Sequence, residues 1–185
     1  GGTRLGKLTT FMVDILTGVP SIVAALFIYA LWVATLGFQR SGFAVALALV
    51  LLMIPVIVRS TEEMLRIVPM DLREASYALG VPKWKTIARI VIPTALSGIV
   101  TGIMLALARV MGETAPLLIL VGYSQAINFD MFNGFQGSLP GMMFDQVSAG
   151  GAGNPVTSDR LWGAALTLVI LVAVLNVGAR FVAKF

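Results

Sequence analysis

Four runs of eighteen or more residues carry no charged side chain: 15–39, 41–58, 90–108 and 161–179. A helix crossing a bilayer needs about 20 mostly apolar residues. Lipid offers backbone groups no partner, so such runs resolve as helices whose hydrogen bonds are internal. The reading is an all-α, multi-pass transmembrane bundle. Its spans are expected at about 15–39, 41–61, 90–121 and 161–182, the third running on past Arg109 to Val121. Pro20 and Pro55 are expected to kink their helices, with neighbouring helices satisfying the freed carbonyls. Composition agrees: 58% of residues are hydrophobic and 12% charged, against about 45–50% and about 25% in soluble domains.

The cations set the orientation. Arg4 and Lys7 precede the first span, Arg59, Arg66, Arg73, Lys83, Lys85 and Arg89 lie between the second and third, and Arg180 and Lys184 end the chain. These alternate correctly to share one side, leaving Arg40 and Arg160 on the other. Cytoplasmic loops carry the excess of Lys and Arg. Residues 62–89 are therefore a cytoplasmic loop, and 122–160 is an outer loop. Within the outer loop, Ser138-Leu139-Pro140 reads as the capped start of a short helix. The Gly-rich stretch 149–158 reads as a connector.

Several chemistries are excluded. Cysteine and histidine are absent, which removes thiolate sites and the usual base near neutral pH. No nucleophile–base pair or metal cluster stands out, and no cofactor is implied. The Gly-rich 149–153 lacks the lysine of a phosphate-binding loop. The net charge of +4 belongs to basic loops, not to a nucleic-acid surface.

The charged loop is the least expected part of so apolar a chain. Residues 71–79 have helical character, Gly80 fits a left-handed helix stop, and Pro82 suits the first turn of a second helix. Tyr77, Leu79, Val81, Trp84 and Ile87 give this helix–turn–helix an apolar surface rimmed with charge. Such a surface fits a protein partner. A basic hairpin held by anionic membrane lipid fits it as well.

The order Glu74-Ala75-Ser76, three residues, Gly80, nine residues, Ile90, one residue, Ile92-Pro93 resembles the EAA loop of ABC importer permeases. That pattern reads Glu-Ala-Ala-x3-Gly-x9-Ile-x-Leu-Pro, so Ser76 and Ile92 depart from it. The resemblance covers the whole chain. It implies the MetI-like fold and a bacterial inner-membrane location. It also implies a coupling loop (Glu74, Ala75, Ser76, Gly80, Val81, Pro82) that docks in a cytoplasmic ATPase. The chain would then be no enzyme, because ATP is hydrolysed by a separate ATPase dimer. A second, homologous permease subunit would supply the other half of the pathway, and an extracytoplasmic binding protein would deliver the cargo. Residues 19–33, 57–69, 107–120 and 137–146 resemble the phosphate-specific branch, which implies inorganic phosphate as cargo and a phosphate-binding protein as the donor. Members have six spans, so one or two are expected upstream of these four.

Two charge pairs bear on the anion. Arg109 and Glu113 stand four apart in an apolar stretch and share a helix face, as do Gly98, Gly102 and Ala106. Intramembrane arginine costs about 2.5–3.5 kcal/mol on insertion scales, so it faces protein or water. Small residues four apart mark a close helix seam. Arg59 and Glu62 form a second pair at the inner end of the second span. If the third helix enters at Pro93, Arg109 lies about 24 Å along it. Arginine matches oxyanion geometry and keeps its proton. Arg59, Glu62, Arg109 and Glu113 are thus candidate pathway residues, with Glu113 holding Arg109 between substrates. The alternatives are a positive-inside anchor at Arg59 and a structural ion pair at Arg109. The charges alone fit sulfate, molybdate or another small solute equally, and a non-transport anchor or sensor remains a separate reading.

Overall fold

The computed structural model describes residues 4–150 and 153–184. Of the expected connector, Gly151 and Ala152 lie outside the described residues. Among the described residues the architecture is all-α, with an isolated bridge between Tyr123 and Gln136 in the 122–160 loop.

Helix α1 (Arg4–Thr17) meets α2 (Ser21–Ile28, continued by a π-helical stretch Tyr29–Thr35) at 104°. Pro20 therefore starts a helix instead of kinking one. Its backbone is extended (φ −61°, ψ 142°), and the residue before a proline avoids the helical region. The first apolar run is thus split between two helices. Helix α3 (Gly42–Ile67) contains Pro55 and extends well beyond it. Ser41 caps α3, its Oγ accepting from the Ala44 N–H at 3.4 Å.

After the short α4 (Met70–Ala78), α5 (Lys83–Thr86) passes through a π-helical turn (Ile87–Val91) into α6 (Ile92–Met111). Residues Lys83–Met111 form one 29-residue helix. Then α7 (Ala115–Leu120) turns back to pack on α2 and α3. The capped helix expected in the outer loop is α8 (Leu139–Ser148), Ser138 Oγ accepting from the Gly141 N–H at 3.1 Å. The chain closes with α9 (Pro155–Lys184), which packs on α6 and α8. Among the described residues, three helices are long and apolar enough to cross a membrane: Gly42–Ile67, Lys83–Met111 and Pro155–Gly178. A fourth crossing exists only if the bent α1–α2 pair counts as one.

Two clusters of buried apolar residues stand at opposite ends of α3. Near its start, Ala25, Ile28, Ala44, Val45, Ala48, Leu120 and Val121 join α2, α3 and α7. Near its end, Val68, Val91 and Ala95 pack with Met64, Leu65 and Ile99. Between them runs the α3–α6 seam. Gly102 and Ala106 are buried there, and a Cβ on Gly102 would stand 2.6 Å from Ser60 Cβ. The stripe of small residues is thus a helix–helix contact, as their spacing predicts. Without a hydrophobic drive between helices in lipid, close backbone approach supplies much of the attraction.

Candidate functional site

The loop between α3 and α6 is a hairpin closed by local chemistry. Gly80 takes φ +74°, where a side chain is penalised and glycine is not. The Gly80 N–H donates to Tyr77 O at 2.9 Å and the Val81 N–H to Ser76 O at 3.2 Å. These two bonds are the paired closure of a Schellman stop. Pro82 sits one residue ahead of the second helix, in its N-cap position. The Ser76 and Thr86 hydroxyls, both buried, lie 2.8 Å apart and bind the two limbs to each other. At the base, Arg73 Nη2 donates to Leu65 O at 2.6 Å, so a cation satisfies a carbonyl in the last turn of α3. Ser76, one of the two residues that depart from the EAA pattern, is therefore a structural fastener.

The hairpin surface is open. Leu79 is 83% exposed and Trp84 70% exposed, and Tyr77, Ile87, Glu74, Ala75 and Pro82 are exposed with them. It lies at the far end of α3 from the 36–41 turn. Lys83–Met111 is a single helix, so α5 and Arg109 lie on one continuous rod.

The two charge pairs fare differently. Arg59 faces Glu62 at 3.6 Å, and Glu62 also accepts from Arg66 at 2.6 Å. Arg59 has a further partner in Asp14, on α1. Hydropathy and spacing gave no sign of Asp14, because the pair joins residues far apart in sequence. Arg109 and Glu113 do not pair among the described residues. Gly112 ends α6 between them, and the helical spacing that would align them is lost. Arg109 is exposed in the last turn of α6, and Glu113 is half-buried in the break before α7. The sequence holds a sign of this break: Pro116 at the second position of α7 marks a fresh helix start.

Relative depth follows from the seam. Gly102 stands level with Ser60, and Arg109 is seven residues farther along α6. At 1.5 Å per residue, Arg109 lies about 10 Å farther from the hairpin than Arg59 does. No ion pair or hydrogen bond links Arg59 to Arg109 or Glu113 among the described residues.

At the opposite end, the outer loop is held by its own polar groups. Trp32 stacks on Phe38 at 4.5 Å, and Phe43 stacks on Phe132 at 5.0 Å. Asp130 accepts from the Phe132 N–H and from Asn133 Nδ2, each at 2.9 Å. The Asn133 side chain, then the Phe132 N–H, hold its carboxyl below the usual carboxylate range. A depressed folded pKa gives order that is complete above the ordinary value of about 4 and is lost as pH falls through the folded value. The Phe132 amide resonance is therefore expected to stay constant from pH 7 to 5 and to move only in stronger acid, alongside the Asp130 carboxyl. A midpoint above the ordinary carboxylate value would refute this.

A family model described as binding-protein-dependent transport system inner membrane component matches residues 1–185. The "Phosphate transport system permease protein PstA 1" of Mycobacterium tuberculosis (strain H37Rv) is 62% identical over 188 residues, covering 99% of this chain and 59% of that protein. The PstA of Mycobacterium leprae is 64% identical over 178 residues, covering 95% of this chain and 57% of that protein. The PstA of Xylella fastidiosa (strain Temecula1) is 44% identical over 180 residues, covering 96% and 61%. The chain thus spans about three fifths of the length of these relatives. A solved chain from the MetNI methionine ABC transporter, in an inward-facing conformation, superposes with a TM-score of 0.79. It is 20% identical and covers 98% of this chain and 75% of that one. The MetI-like bundle expected from the EAA spacing is therefore the fold. With the family model matched from end to end and relatives above 60% identity over nearly all of it, this chain belongs to the binding-protein-dependent transport system inner membrane components.

Proposed function

We propose that this chain is a permease subunit of an ATP-driven importer, that its cargo is inorganic phosphate, and that it forms half of the pathway. The hairpin from Met70 to Pro82 seats in a cytoplasmic ATPase dimer. Closure of that dimer moves α5 and α6 as one rod. A second homologous permease completes the pathway, and an extracytoplasmic phosphate-binding protein delivers the ion. The observation that carries the coupling role is the exposed apolar tip, Leu79 and Trp84, on a hairpin continuous with α6. The cargo rests on relatives named for phosphate transport across nearly all of this chain. Arg59 with Glu62, and Arg109 and Glu113 on either side of the Gly112 break, are the groups that meet the anion. Their depths, about 10 Å apart along the helix axis, suit an ion handed from one guanidinium to the next.

The test is reconstitution of the full-length permease with its ATPase and binding protein in vesicles. ATP-dependent uptake of labelled phosphate is the expected result. Uptake that sulfate or molybdate outcompetes would reassign the cargo, and no nucleotide-driven uptake of any anion would end the transport reading. The hairpin has its own test. Replacing Leu79 and Trp84 with aspartate puts two charges into the docking contact. Central apolar anchors carry about 2 kcal/mol or more each, so affinity for the ATPase should fall by about thirtyfold or more. Both side chains are exposed, so the chain should still insert and fold. Undiminished co-purification with the ATPase would rule out this docking surface.

A further inference from the structure

Arg59 is already occupied by a residue that sequence spacing did not identify. Its guanidinium meets Asp14 on α1, and Glu62 lies farther away at 3.6 Å. Glu62 is engaged more closely by Arg66, at 2.6 Å on its own helix. Asp14 is therefore the principal anion at Arg59. Both side chains keep access to water, 38% exposed for Arg59 and 49% for Asp14. Asp14 lies in the last turn of α1, four residues before the Gly18–Pro20 break. Beside it, a cavity of about 460 Å³ between α1 and α3 is lined by Lys7 and Arg66 as well as by Asp14 and Glu62.

We propose that Asp14 is the resident counter-anion of Arg59, and that an oxyanion reaches this guanidinium by displacing it. The inference rests on the reading of this chain as an anion permease. A carboxylate and a phosphate present the same paired oxygens to the guanidinium fork, so they compete for the same N–H groups. A water-accessible ion pair is weak enough for such exchange, whereas a fully buried pair resists it. Glu62 sits on the same helix as Arg59 and has Arg66 as a second partner, whereas Asp14 comes from α1 and can part from Arg59 without disturbing α3. Asp14 is thus a positioning residue: it parks Arg59 between substrates and sets how readily phosphate is captured there.

The test measures labelled inorganic phosphate binding to the full-length permease assembled with its ATPase and partner permease, free of nucleotide. Asp14→Asn is expected to bind phosphate about threefold more tightly, the scale an exposed charge pair supports. Asp14→Glu, which restores the competitor, should match the wild type. A purely structural role predicts weaker binding or none of these changes. Unchanged or weaker binding by Asp14→Asn overturns the inference while leaving the transport reading intact. Asp14→Ala serves as the second variant, and failure of both to assemble assigns Asp14 to packing and also overturns it. A wild-type assembly that neither binds nor takes up phosphate removes the transport reading, and this inference with it.

Discussion

Gly102→Leu is expected to separate α3 from α6 and leave little assembled permease in the membrane. The position is the tightest on the seam. A Cβ there would overlap the Ser60 hydroxyl and stand 2.6 Å from Ser60 Cβ, an atom fixed by the α3 backbone. Gly98 makes a useful contrast. Its closest neighbours are the Sδ and Cγ of Met64, which rotate away at little cost. Overpacking by even small groups costs about 1–3 kcal/mol, and leucine adds several at the closest approach. Gly102→Ala should lower stability by about 1–3 kcal/mol, and Ser60→Gly in the same chain should recover most of that loss. Thermal stability of the detergent-solubilised protein measures all three. Gly102→Leu at wild-type yield and melting temperature would show that the seam is not the close contact described.

Arg109→Ala is expected to lower phosphate uptake by roughly 10–100-fold while leaving the chain folded and bound to its ATPase. A structural ion pair needs a partner, and Arg109 has none among the described residues, since Gly112 ends the helix before Glu113 can align. An arginine kept in an apolar segment carries an insertion cost of about 2.5–3.5 kcal/mol, so alanine should not destabilise the fold. A charge-assisted hydrogen bond to the anion is worth about 1.5–3 kcal/mol, or roughly 10–100-fold in rate if it is formed in the limiting step. Arg109→Lys keeps the charge without the fork and should fall between the two. Uptake by Arg109→Ala at the normal rate, in vesicles of equal protein content, would remove Arg109 from the pathway.

The hairpin was legible in the sequence because its determinants are local. Gly80 is required by the positive φ, Pro82 by the restart, and Ser76 and Thr86 face one another across the turn they flank. The Gly98–Gly102–Ala106 stripe was legible for the same reason, since helical spacing alone puts those residues on one face. The breaks were not. The apolar run from 15 to 39 passes through Gly18–Pro20 without a change in hydropathy, yet the helices on either side differ in direction by 104°. The run past Arg109 likewise continues through Gly112, where α6 stops and α7 folds back on α2 and α3.

From sequence alone came the solvent, the helical class, the glycine-turned hairpin and the face on which α6 packs. Each depends on composition or on neighbours within one or two turns. Tertiary structure alone decided that Asp14 holds Arg59 and that Arg109 stands without Glu113. Hydropathy records how much a residue favours lipid, not the direction in which its helix runs. Which charges meet is set by the crossing of separate helices, and that crossing is fixed by packing.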